Sequence, residues 1–124
     1  MSEIRATTIS DAAGTGPIAM TGQSAAKAWV NFAGAGTIAA RDSFNVASLT
    51  DAGTGEYDVN YSSAMATANN ATSAFSSRDV SSSQVGMFHG NSLDSGKVRI
   101  IEVAGANSFY DPNIVTATVH GDLA

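Results

Sequence analysis

Glu56-Tyr57-Asp58-Val59-Asn60-Tyr61 alternates polar and bulky residues over six positions without a break. Period two is the side-chain period of an extended strand. The segment therefore puts Tyr57, Val59 and Tyr61 on one face, with the two acids and the amide on the other. The same period runs upstream. Ala28, Val30 and Phe32 share a face opposite Trp29 and Asn31, and Phe44, Val46 and Ser48 alternate with Asn45, Ala47 and Leu49. Residues 50–55 (Thr-Asp-Ala-Gly-Thr-Gly) are dense in turn formers, so 44–61 reads as a β-hairpin. The core expected from this pattern is Phe32, Phe44, Val46, Tyr57, Val59 and Tyr61.

The rest of the chain punctuates in the same way. Ala33-Gly34-Ala35-Gly36 turns, and residues 37–40 return. Residues 63–68 are expected to form at most a helical turn, stopped by Asn69-Asn70. Strands are expected over 71–80, 85–89, 97–103 and 114–120, with Ile100 and Ile101 adjacent in a strand covered on both sides. A loop over 105–113 contains Asp111-Pro112. About eight short strands at this spacing predict an all-β chain, an antiparallel β-sandwich or jelly-roll-like domain.

Composition agrees. Ala, Gly, Ser and Thr make up 61 of 124 residues, and only three are Leu. Few Leu and many β-branched residues argue against a helical bundle. Thirty-two large apolar residues form a thin core for an unstapled sandwich, which points to further burial against another chain. Six basic residues against eleven acidic ones leave no nucleic-acid footprint. No 18-residue apolar run exists to span a membrane, and the first residues lack the pattern of a signal peptide. With no Cys, disulfides, thiol catalysis and Cys-ligated zinc are all out of reach.

Residues 1–24 differ from the body at 25–124. Ile4, Ile9, Ile18 and Met20 stand singly among Thr, Ala and Gly, and Gly14-Thr15-Gly16-Pro17 interrupts any regular element. Such a segment cannot bury itself. It is expected to be an extended N-terminal arm that anchors the protein to a partner through those four side chains. Trp29 lies on the face opposite Ala28, Val30 and Phe32. It cannot share their core, so it is the expected contact of a homotrimer.

Catalytic signatures fail one by one. Gly-x-Gly at 14–16, 34–36 and 53–55 continues into neither a dinucleotide fingerprint nor a P-loop, and reads as turns. Ser24 follows Gly22-Gln23 but lacks the second glycine of a nucleophile elbow. His89 and His120 are 31 positions apart without metal-ligand spacing. A ligand role would need three copies of one imidazole on an oligomer axis. Asp51, Glu56 and Asp58 cluster around the hairpin tip without a calcium-loop pattern, and read as solvated turn acids. No catalytic residue, cofactor or metal ligand is assigned.

Lys27-Ala28-Trp29-Val30-Asn31-Phe32, Gly34-Ala35-Gly36-Thr37-Ile38, Arg41-Asp42-Ser43-Phe44-Asn45-Val46 and Tyr57-Asp58-Val59-Asn60-Tyr61 together resemble a module of tailed-bacteriophage tail fibres and related virion proteins. The resemblance covers most of 25–124 and is sharpest over 27–61; residues 62–96 match poorly. It implies a β-rich, usually trimeric, non-enzymatic protein.

The expectation that follows is a virion structural protein, not an enzyme. Its first form is a trimeric capsid decoration, or cement, protein on the outer surface of the head. There the arm would add to the major capsid protein and staple neighbouring subunits. The alternative is a tail-fibre or tail-tip subunit whose exposed side chains meet a host-surface glycan.

Overall fold

The computed structural model describes residues 22–77, 87–91, 94–103 and 108–124, with residues 2, 3, 6, 12 and 13; of 87–91 and Val103 it describes the backbone alone. The four expected arm residues Ile4, Ile9, Ile18 and Met20 lie outside the described residues.

The described elements are all strands: β1 (Ala28–Ala33), β2 (Ala39–Phe44), β3 (Val46–Gly53), β4 (Glu56–Tyr61), β5 (Ala71–Ser77), β6 (Met87–Asn91), β7 (Lys97–Val103) and β8 (Ile114–His120). One sheet runs β2-β1-β8-β5, the other β3-β4-β7-β6, and every pairing is antiparallel. Ala28, Val30 and Phe32 of β1 and Val115, Ala117 and Val119 of β8 bury their side chains against Tyr57, Val59 and Tyr61 of β4 and Val98 and Ile100 of β7. The core is thus the shared inner face of two sheets, each turning every second residue inward. At its centre the Phe32 and Tyr57 rings meet edge to face, centroids 5.2 Å apart and planes at 74°.

The β3–β4 hairpin closes at Thr54-Gly55, where Gly55 has φ 70° and its amide is held by Asp111 Oδ1 at 2.7 Å. Phe32, Tyr57, Val59 and Tyr61 sit in the core. Phe44 does not: it is 52 % exposed. It ends β2, opposite Trp29, on the outer face of the first sheet. Asn45 interrupts the expected 44–49 strand in the left-handed region at φ 55°, and β3 begins afresh at Val46 in the other sheet. Val46 is half-buried. A bulge between Val46 and Ser48 then shifts the register by one residue, so Leu49 and not Ser48 faces inward opposite Val59.

Residues 63–68 form no helical turn. Met65, 2 % exposed, bridges to Leu123, and the chain there is tied by Met65 N to Ser95 O (2.7 Å), Ala66 N to Asp122 O (2.6 Å) and Ala124 N to Ala64 O (3.0 Å). Methionine packing and an antiparallel bridge to the C-terminal residues win over weak local helix propensity.

Candidate interaction surfaces

The two outer faces of the sandwich differ in chemistry. On the first sheet the outward positions include Trp29 and Asn31 of β1, Phe44 of β2, Thr116, Thr118 and His120 of β8, and Ser73 and Phe75 of β5. Direct cross-strand partners share a face, so Phe44, Trp29, Thr118 and Ser73 form one row. Asn31, Thr116 and Phe75 lie in the next. Trp29 is 37 % exposed and Phe75 66 %. Two strand spacings and two residues separate them, about 10 Å across and 7 Å along the sheet. The face is mainly aromatic and hydroxylated; among the described residues its acidic and basic side chains besides His120 are Arg41 and Asp42, at the β2 edge. Arg41 is the extra residue of a bulge opposite Asn31 and Phe32, and its guanidinium reaches Asn31 Oδ1 (3.2 Å) and Asn113 O (2.7 Å).

The second sheet presents charge instead. Asp58 on β4 accepts from Arg99 Nε (2.6 Å) and Nη2 (3.0 Å) and from Lys97 Nζ (2.9 Å), both on β7. Glu56 Oε2 lies 3.9 Å from Arg99 Nη1. Asn60 Nδ2 donates to Ser48 Oγ (3.1 Å) and Thr50 Oγ1 (3.0 Å). Asp58 is buried, not solvated, and the Arg99 guanidinium, with Lys97 behind it, holds its carboxyl below the usual range against the opposing effect of burial. Arg99 is correspondingly raised by its bond to Asp58.

A polar knot closes one end of the sandwich. Tyr57 Oη donates to Asp111 Oδ1 at 2.9 Å, with Gly34 O at 3.3 Å. Burial, and then the bond to Asp111, raise the Tyr57 hydroxyl far above its ordinary value. Glu102, fully buried on the inner face of β7, accepts from Ser76 Oγ of the opposite sheet at 2.7 Å, while its amide donates to Gly55 O. Its Oε2 has no hydrogen-bond partner among the described residues. Strand parity with Val98 and Ile100 is the one sequence signal that Glu102 points inward, and its charge argues against it.

The sequence-predicted positions scatter across these features. Trp29 is exposed on the aromatic face, while Phe32, Tyr57, Val59 and Tyr61 are core and build no surface. Asp51 is exposed and bonds its own turn at Gly53 N (3.1 Å), so the three hairpin acids share no common site. Ser24 is exposed in the segment leading to β1. His89 lies on β6 and His120 on β8, in different sheets. Phe75 completes the aromatic face and was missed, because its neighbours Ala74 and Ser76 are too small to mark a period.

A shallow groove of about 200 Å³ separates the edge strands β2 and β3, lined by Ile38, Ala39, Ala40, Val46 and Leu49 among others. No protein-family model, no curated protein and no solved structure matches the chain.

Proposed function

We propose that the protein is a non-enzymatic bacteriophage virion structural protein, a homotrimeric capsid decoration protein bound to the outer surface of the head. The observation that carries this reading is the two-faced sandwich. One sheet exposes Trp29, Phe44 and Phe75, three of the four exposed large apolar side chains among the described residues (the fourth, Phe109, precedes β8), while the described side chains of the other include the Asp58–Arg99–Lys97 lattice. Three exposed aromatics grouped on one face suit a protein-protein contact. A charged opposite face suits water. In this reading Trp29 faces the trimer partners and residues 1–24 reach the major capsid protein. We take the body as a sandwich of about eight strands with hairpin neighbours β1–β2, β3–β4 and β6–β7, and prefer that description to a jelly roll.

A second reading, a tail-fibre or tail-tip subunit, is favoured by one feature of the same face. Trp29 and Phe75 flank Asn31, Thr116 and Thr118, an arrangement in which rings could stack on a host-surface glycan while hydroxyls and amide bond it. The copy number on purified particles decides between the two: hundreds per virion support decoration, a few support the fibre. Light scattering of the isolated protein tests the trimer. Deletion of 1–24 should abolish rebinding to depleted particles while leaving the body folded; unchanged rebinding would refute the anchoring role.

A further inference from the structure

We infer that Phe75 of one copy seats in the groove between β2 and β3 of the next copy, a head-to-tail contact. The inference rests on the homotrimer reading above and names the two surfaces that meet in it. The groove is where the core comes to the surface. Ile38, Val46 and Leu49 pack against the buried cluster yet stay only partly buried, and Ala39, Ala40 and Ala47 leave space beside them. No acidic or basic side chain lines it. Its volume of about 200 Å³ suffices for one phenyl ring, since an apolar cavity of about 150 Å³ takes benzene.

Phe75 supplies the ring. At 66 % it is the most exposed large apolar side chain among the described residues. Its same-face neighbours on β5, Ser73 and Ser77, and its partner Thr116 on β8 are shorter and uncharged. Ring and groove cannot meet within one chain. The first sheet runs β2-β1-β8-β5, so they lie at opposite edges, three strand spacings or about 14 Å apart. A patch whose complement sits elsewhere on the same molecule makes a heterologous contact, which closes into a ring of copies when the rotation fits.

Charge selects these two surfaces. Each chain carries a formal −5, so copies repel one another and approach best where neither side adds charge. Seating the ring also completes the burial of Ile38, Val46 and Leu49, which a thin core leaves unfinished.

The test is a pair of variants at exposed positions, weighed by light scattering singly and mixed. Phe75→Ser removes the ring, and Ala40→Glu fills the groove with bulk and charge; both should keep the native melting temperature. Ala47→Glu is the second way to fill the groove if Ala40→Glu lowers it. Where the native chain associates, each variant alone should associate at least about tenfold more weakly, as loss of an anchoring aromatic does. An equimolar mixture still holds one intact ring for one intact groove, so it should form a species of two chains and nothing larger. Two variants that damage one self-paired patch would not rescue each other in this way. If either variant alone associates like the native chain, or if the mixture stays monomeric, the inference falls while the homotrimer, read from the native mass, stands. A native chain that is monomeric at every concentration overturns the homotrimer and the inference together.

Discussion

Arg99 grips Asp58 across the β4–β7 pair with two bonds, Nε to Oδ1 at 2.6 Å and Nη2 to Oδ2 at 3.0 Å, and Lys97 adds a third from the neighbouring non-adjacent position of β7. Asp58 is 5 % exposed, so its charge is satisfied by protein and not by water. Asp58→Asn keeps the shape and loses the charge; the expected loss is about 1–2 kcal/mol, discounted because both cations are partly solvated. The folded-state value of Asp58 is depressed, so its contribution is present above the ordinary value of 3.8 and disappears as pH falls through the lower folded value. Melting temperature should therefore fall on acidification below 3.8, and Asp58→Asn should flatten that part of the profile. A variant that melts like the native protein, with the same acid limb, would contradict the role.

Asn45 is the corner post between the two sheets. It holds a left-handed backbone at φ 55°, while its side chain donates to Lys27 O and Ser63 O and accepts from Ser63 N at 2.7 Å. Asn45→Ala loses the bonds and keeps the strain, an expected loss of about 2–3 kcal/mol. Asn45→Gly loses the bonds but relieves the backbone, so it should be the milder change. Chemical denaturation of the two variants checks the order; a reversed order would place the energy elsewhere.

Much of this fold was legible because β4 obeys period two strictly: Tyr57, Val59 and Tyr61 all reach the core. What was not legible depends on single residues that break the period or on partners far along the chain. Asn45 ends β2 one residue before the expected strand gathers its apolar face, which leaves Phe44 outside. The bulge at Ser48 then hands the inward position to Leu49. Asp58 looked solvated because its cations, Lys97 and Arg99, lie about forty positions away in sequence and meet it only through the β4–β7 register. Of the candidate surface, Trp29 was legible from its parity against Val30, but Phe75 was not.

Gly34 and Gly36 are both glycines of one turn, yet they should respond to alanine for different reasons. A Cβ on Gly34 would stand 2.6 Å from Tyr57 Oη and 2.9 Å from Pro112 O. The carbonyl is backbone and cannot swing away, so Gly34→Ala is expected to cost about 2–3 kcal/mol by overpacking. Gly36 faces open space but has φ 71°, so Gly36→Ala should cost only about 1 kcal/mol of backbone strain. Thermal melts of the two variants measure the difference; equal losses would show that Tyr57 and Pro112 can give way.

Tyr57 and Tyr61 predict an alkaline limit to stability. Burial pushes the Tyr61 hydroxyl from 10.0 up to about 12, and Tyr57 is raised further. Both folded values lie above the unfolded one. The stability tied to the neutral phenols is therefore full below 10.0 and is lost as pH rises from there through the folded values. Tyrosinate absorbance should appear together with unfolding and not ahead of it. Tyr61→Phe removes a buried hydroxyl that has no hydrogen-bond partner among the described residues, so it should be tolerated and should shift the alkaline transition upward. Free ionisation of both rings in the folded protein would refute the burial argument.

Trp29 and Phe44 pair across β1 and β2 on the outer face, with Phe75 two strands away. None of the three supports the core, so Trp29→Ser and Phe75→Ser should leave the melting temperature of the monomeric body nearly unchanged. Their effect should fall on association. Assembly through this face would desolvate the indole, and since Trp29 is the chain's single tryptophan its emission reports that event without interference. Emission should shift to the blue as protein concentration rises, in step with the mass measured by light scattering. Trp29→Ser should hold the protein monomeric at concentrations where the native chain associates. If the native chain stays monomeric while added oligosaccharide alone shifts the emission, the face is a sugar platform and the tail-tip reading replaces decoration. If the native chain associates and Trp29→Ser associates equally well, the trimer contact lies on another surface.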